Sequence, residues 1–371
     1  MKFSTKIPKT KSIMMYGVYC IIVSAVLLFF ARNFDWFGEF YASRIFPIFP
    51  NTIGRLMSIF PFAIFEILIY IFSLVFFVFL VYFITLMVLP GQKAFKKEKA
   101  KALGTKAACV IVPLVCTGFL LFTLAAGINY SRDTFGDLTN RQISPSSPAE
   151  LLMLAEILIE NLEELSQEIP LDERRLFTIR YIDANEEARE AMRLLGEEIP
   201  VLAGFYPNAK PVIASRVLSR FNTAGIFIPF TMEATFNHDI PDHQIPFIIA
   251  HEFAHFRGFM REDEANFIAY LACRGSESVE LRYSAAINAL SHVLNAYARV
   301  ATPQEYADLV QMIPDQVLRD FAVAHEYWAQ FRGRAAQVAT RVNDAYLRAN
   351  AQTDGVYSYG RMVDLLLAEY L

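Results

Sequence analysis

His251, Glu252 and His255 form the pattern H-E-x-x-H inside IIAHEFAHFRGFMREDEANFIAYLAC, residues 248–273. On a helix, positions i and i+4 lie one turn apart on one face, so both imidazoles can reach one ion. Two neutral imidazoles and a carboxylate suit zinc and leave a fourth position for water. Glu252 directly follows the first histidine. Its carboxylate can reach that water and take its proton, the work of a general base in hydrolysis.

A third protein ligand is required. Gly258 can turn the chain sharply, and a second helix should begin near Arg261. Metzincins place a histidine where Arg261 stands, so that reading fails and a carboxylate must serve. Glu262 and Asn266 lie one turn apart on the second helix, which suits a ligand and an amide that orients an imidazole. Glu264 is the alternative ligand, although it sits about 200° around the helix from Glu262. Tyr359, Arg361 and Tyr283 are candidate donors to an oxyanion. His238, His243, His292 and His325 have no partner spacing and read as loop or core residues. The four cysteines show neither a disulfide framework nor a C-x-x-C site.

The elements that must hold this site fall into two parts. Of 371 residues, 54% are hydrophobic and 33 are Phe, and the mean hydropathy is +0.31. The net charge of −4 gives no reason to expect a nucleic-acid partner. Within residues 1–130, three runs are long enough to cross a bilayer, at about 12–31, 60–90 and 107–130. The second should start at an interface near Pro61, with Glu66 snorkelling to water. Lys2, Lys6, Lys9 and Lys11 precede the first run. Lys93, Lys96, Lys97, Lys99, Lys101 and Lys106 fill an expected loop between the second and third. The positive-inside rule then puts the N-terminus in the cytoplasm and everything after Tyr130 outside a multi-pass cell-membrane anchor.

Residues 131–150 are rich in turn formers and read as a linker. Residues 151–371 should form one mostly helical domain. Helical patterns open at Pro148 and cover about 184–198, 246–257, 262–273, 276–299, 303–311, 314–332 and 334–349, with a last helix within 354–371. Ala209–Ile213 and GIFIPFTME (225–233) are strand-like, and Pro229 favours an edge position for the latter.

HEFAHFRGFMREDEANFIAYLAC resembles a bacterial membrane family catalogued as domain of unknown function 3810, a zincin-like group. The resemblance extends to GIFIPFTMEATFN (225–237), RYSAAINAL (282–290) and DGVYSYGRMVDLLL (354–367). It implies a membrane-anchored α+β protein: three transmembrane helices, then a zincin-like metallopeptidase domain with a small sheet. The E-x-x-A-N element is similar to the third-ligand helix of other gluzincins, which favours Glu262, although their interval from the histidines is longer. GIFIPFTME would then be the edge strand along which a protein or peptide substrate lies. The expected activity is zinc-dependent hydrolysis of peptide bonds outside the cytoplasmic membrane. The alternative is a non-catalytic, zinc-stabilised scaffold or sensor of the cell envelope.

Overall fold

The computed structural model describes residues 10–88, 93–143, 146–350, 352, 355 and 361–371. The chain opens with the long apolar helix α1 (Thr10–Asn33). Short helical pieces follow: α2 (Asp35–Phe40), two π-helical turns (Tyr41–Ile45 and Pro50–Gly54) and α3 (Arg55–Met57). Then come α4 (Ile64–Val88) and α5 (Lys93–Ala125). With α1, these are three helices long and apolar enough to cross a membrane.

Two expectations change here. The lysine-rich stretch is not a loop but the first turns of α5. Lys, Ala, Glu and Leu are strong helix formers, and the single Gly104 between them and the apolar turns does not interrupt the helix. The third apolar segment accordingly ends earlier, at Ala125, where a 3-10 turn at Gly127–Ser131 takes over. Glu66 does not reach for water either. It is buried and accepts hydrogen bonds from Tyr70 and from the backbone N–H groups of Ile213 and Ala214, both at 2.8 Å.

The rest of the chain is mostly helical with a small mixed sheet. A short α6 (Phe135–Leu138) precedes α7 (Pro148–Glu168) and α8 (Tyr181–Glu198). The strands β1 (Lys210–Pro211), β2 (Gly225–Ile228) and β3 (Glu233–Phe236) follow, with α9 (Ser215–Arg220) between the first two. After them come α10 (Ile245–Phe256), α11 (Glu262–Arg274) and α12 (Val279–Tyr297). The chain ends with α13 (Pro303–Gln311), α14 (Asp315–Ala329), α15 (Arg334–Ala349) and α16 (Met362–Tyr370). Ser147 and Glu150 cap α7 reciprocally, as Thr302 and Glu305 cap α13.

The strand order is β1-β3-β2, so β2 is an edge. β3 was not legible in the sequence: Glu233, Ala234, Thr235 and Phe236 alternate polar with apolar over only four residues, and all four are buried, so the alternation marks no solvent face. The turn-rich stretch after Ser131 is not free chain. Phe135 is fully buried and meets Phe259 and Phe267 edge-on. Arg132, also buried, pairs with Glu39 at 3.3 Å and lies 3.8 Å over the Phe259 ring.

Glu233 ties the two parts together. Its carboxylate accepts the N–H groups of Ile64 at 2.8 Å and Phe65 at 2.9 Å, which caps α4 with negative charge where a helix N-terminus wants it. It also pairs with the buried Lys210 ammonium at 2.5 Å, and Lys210 in turn donates to the Met57 carbonyl. Glu233→Ala should therefore cost about 3–5 kcal/mol, because it strands a buried ammonium. Thermal unfolding in detergent checks this. The single variant should melt several degrees lower, and adding Lys210→Met should restore much of the loss.

Candidate metal centre

α10 and α11 form a hairpin, packed face to face in the main core. The turn between them rests on Gly258, whose φ is +87°, a region where only glycine is unstrained. A Cβ there would also strike the Phe46 ring. The hairpin brings Glu262, the first residue of α11, back over the imidazoles of α10.

His251 Nε2 lies 3.3 Å and His255 Nε2 lies 3.6 Å from Glu262 Oε2. All three residues are buried, and their donor atoms fall within 4.8 Å of one another. The other ring nitrogens are occupied. His251 Nδ1 donates to Asn266 Oδ1 at 2.8 Å, and His255 Nδ1 donates to the Phe259 carbonyl at 2.7 Å. Both acceptors are oxygens, so each neutral imidazole carries its proton on Nδ1 and turns its Nε2 lone pair toward Glu262.

Glu264 is placed elsewhere. Its Oε1 accepts the Phe135 N–H at 2.9 Å and Arg261 Nη1 at 2.8 Å, so this buried acid fastens the 131–135 segment to α11. Asp263 faces Arg361 at 3.4 Å, and burial pushes its carboxyl up to about 6. Neither of the two described oxyanion candidates is brought to the imidazoles. Tyr283 is fully buried and donates to Asp320 at 2.6 Å, Arg361 pairs with Asp263, and Tyr359 lies outside the described residues.

Glu252 lies against β2. Its carboxylate accepts the Phe227 N–H, and Gly225 passes so close that any Cβ would collide with it. Glu252 Oε2 is buried without a hydrogen-bond partner. An orphaned carboxylate oxygen is costly to bury, and here it borders a cavity of about 970 Å³ that the imidazoles and Glu262 also line. Burial pushes the Glu252 carboxyl up to about 7, against the pull of both imidazoles. Burial alone would lower His255, but the Glu262 carboxylate outweighs it and holds the imidazolium up to about 9. Burial likewise opposes the charge on Glu262, and the two imidazoles overcome it, keeping this acid well below the usual carboxylate range. The donor set fits a divalent ion that takes nitrogen and oxygen ligands, zinc above all, and the charge balance asks for a cation.

The sequence reading missed three residues of the cavity wall. Asn288 and His292 stand one turn apart on α12, and Tyr346 comes from α15. Burial, with the charge of His251 adding to it, pushes His292 down to about 4, so it is neutral at pH 7. Only the i, i+4 spacing of Asn288 and His292 could have hinted at a shared face. Nothing local marks Tyr346.

A sequence profile of the family described as "Protein of unknown function (DUF3810)" matches residues 41–367. The chain belongs to this family. The matched span takes in the second and third apolar helices, the sheet and the whole α10–α11 hairpin. No curated protein and no solved structure matches the chain. Family membership is thus established, and it assigns no chemistry.

Two measurements check the donor set. Elemental analysis should find about one zinc per chain in Glu264→Gln and little in Glu262→Gln, since only Glu262 faces the imidazoles. At pH 7 the ion must expel the His255 proton, so chelator competition should show affinity rising about tenfold per pH unit from pH 6 and levelling near pH 9.

Proposed function

We propose that the chain is a zinc-dependent, membrane-anchored peptidase whose hairpin site works outside the cytoplasmic membrane. The observation that carries this reading is the pairing of two functions in one cavity. Three donor atoms converge from His251, His255 and Glu262, and beside them Glu252 keeps an unpartnered oxygen. A purely structural metal would need the first group and not the second.

When bound, zinc would supply Lewis acidity, making water easier to deprotonate and a carbonyl easier to attack. The chain's own groups do the rest. His251, His255 and Glu262 hold the ion, and Asn266 and the Phe259 carbonyl keep the two imidazoles in register. Glu252, poised near neutrality, takes the proton of the attacking water and hands it to the leaving amine.

The sheet edge supports an extended peptide as the substrate. Asn237 N–H donates to the Ala224 carbonyl at 2.8 Å, so Ala224, Ile226 and Ile228 exchange ladder bonds with β3. Gly225 and Phe227 then turn their N–H and C=O groups the other way, toward Glu252 and the cavity. No strand among the described residues pairs with that edge. An extended peptide can add to it, with its carbonyl brought to the imidazoles.

Tyr346 suits the role of oxyanion donor. It accepts a hydrogen bond from Tyr130 at 3.0 Å, which leaves its own proton to give. Burial and the nearby Glu262 carboxylate raise its phenol above the usual value, so it stays protonated at pH 7.

Glu252→Gln should abolish hydrolysis of a peptide library while keeping zinc; a fully active variant would sink the mechanism. Tyr346→Phe should lower kcat about 100- to 1000-fold with zinc retained.

A further inference from the structure

The centre lies far along the chain from the apolar helices, yet the fold returns it to their ends. Glu66, in the first turn of α4, holds the backbone of Ile213 and Ala214. Phe230 stacks on Phe65 with centroids 5.9 Å apart. From this attachment exposed apolar residues run past α9: Ile213 before it, Val217 on it and Phe221 just after it are 63%, 47% and 45% exposed. Ile226 and Phe230 add to the same lip, and Phe221 and Ile226 line the cavity that holds His251 and Glu252. Across the cavity, Ala126 and Tyr130 form part of the wall, and they follow directly on the end of α5. The segment between α1 and α4 is likewise studded with exposed Trp36, Ile48, Leu56 and Ile59.

Two walls of the cavity therefore start where an apolar helix leaves off, and one of them carries a bare apolar stripe from that helix to the mouth. Exposed apolar side chains on this scale need a cover. The stripe is continuous with helices whose surroundings must be hydrocarbon, and aromatic groups favour the interface. We infer that the lip sits in the surface of the bilayer and that the site takes a polypeptide held in the same membrane, cutting it close to its apolar segment. The substrate class rests on the peptidase reading, whereas the seating of the lip does not.

The test uses the full chain, zinc-loaded and reconstituted in phospholipid vesicles. In the first arm, Trp36 and Trp328 are replaced by Phe, and Val217→Trp, Phe221→Trp or Met153→Trp supplies a single indole. Met153 is exposed on α7, among elements of the outer core. Acyl-brominated lipids should quench the indoles at 217 and 221 and spare the one at 153; equal quenching at all three positions, or none at 217 and 221, overturns the inference.

In the second arm, a randomised peptide library is fused to a single apolar helix and co-reconstituted, through a polar spacer of about 5 or about 40 residues. A tether raises local concentration most when its length matches the distance from membrane to site, so the spacer that is cut faster reports that distance. The short-spacer form should be cut at least about tenfold faster. Equal rates overturn the substrate class and leave the peptidase reading standing. No cleavage of either form by a zinc-replete chain removes the peptidase reading and the substrate class with it, and the quenching arm still decides where the lip sits.

Discussion

A carboxylate enclosed between two imidazoles is the constraint around which the C-terminal helical part is arranged. Glu262 is buried, and the imidazole rings of His251 and His255 face its carboxylate. Glu252, also buried, adds a second acid to the same cavity. Two acids in so little volume are tolerable when one is neutral, as burial favours for Glu252, or when positive charge lies between them. The sharp turn at Gly258, the oxygen acceptors on both Nδ1 atoms and the close pass of Gly225 all serve to keep these groups facing one another.

The same region is joined to the apolar helices through a second set of buried charges. Glu233 caps α4 and neutralises Lys210, while Glu66 reaches from α4 to the start of α9. A second core cluster, with Phe46, Tyr130, Phe227 and Phe256, fills the space between the hairpin and the helix ends. Movement of the apolar helices relative to the centre would break several of these contacts at once. The position of the site beside the apolar helices is therefore a property of the fold and not of a flexible tether.

Much of this was legible in the sequence, for reasons that can be named. Helical periodicity located α10, α11 and α12 to within a few residues, and the one-turn spacing of His251 with His255 and of Glu262 with Asn266 put each pair on one face. Rotation about one helix axis favoured Glu262 over Glu264 but left the choice open, and the structure turns Glu262 to the imidazoles and Glu264 to Phe135 and Arg261. What could not be read was long-range. Glu66 looked like a solvated acid because its partners, at 213 and 214, are nearly 150 residues away. Phe135 sits in a run of turn formers, yet Glu264 and two phenylalanines claim it. Tyr346 reaches the cavity from a helix whose sequence shows only amphipathicity. The lysine run was misjudged for a local reason: charge was read as loop, where propensity favoured helix.

X-ray absorption at the zinc edge of the metal-loaded full chain tests the central claim most directly. The account requires two imidazole nitrogens and carboxylate or water oxygens at about 2.0–2.2 Å, with no sulfur. His251→Ala should remove one imidazole's scattering. A spectrum with sulfur neighbours, or one that keeps both imidazoles in that variant, would contradict it.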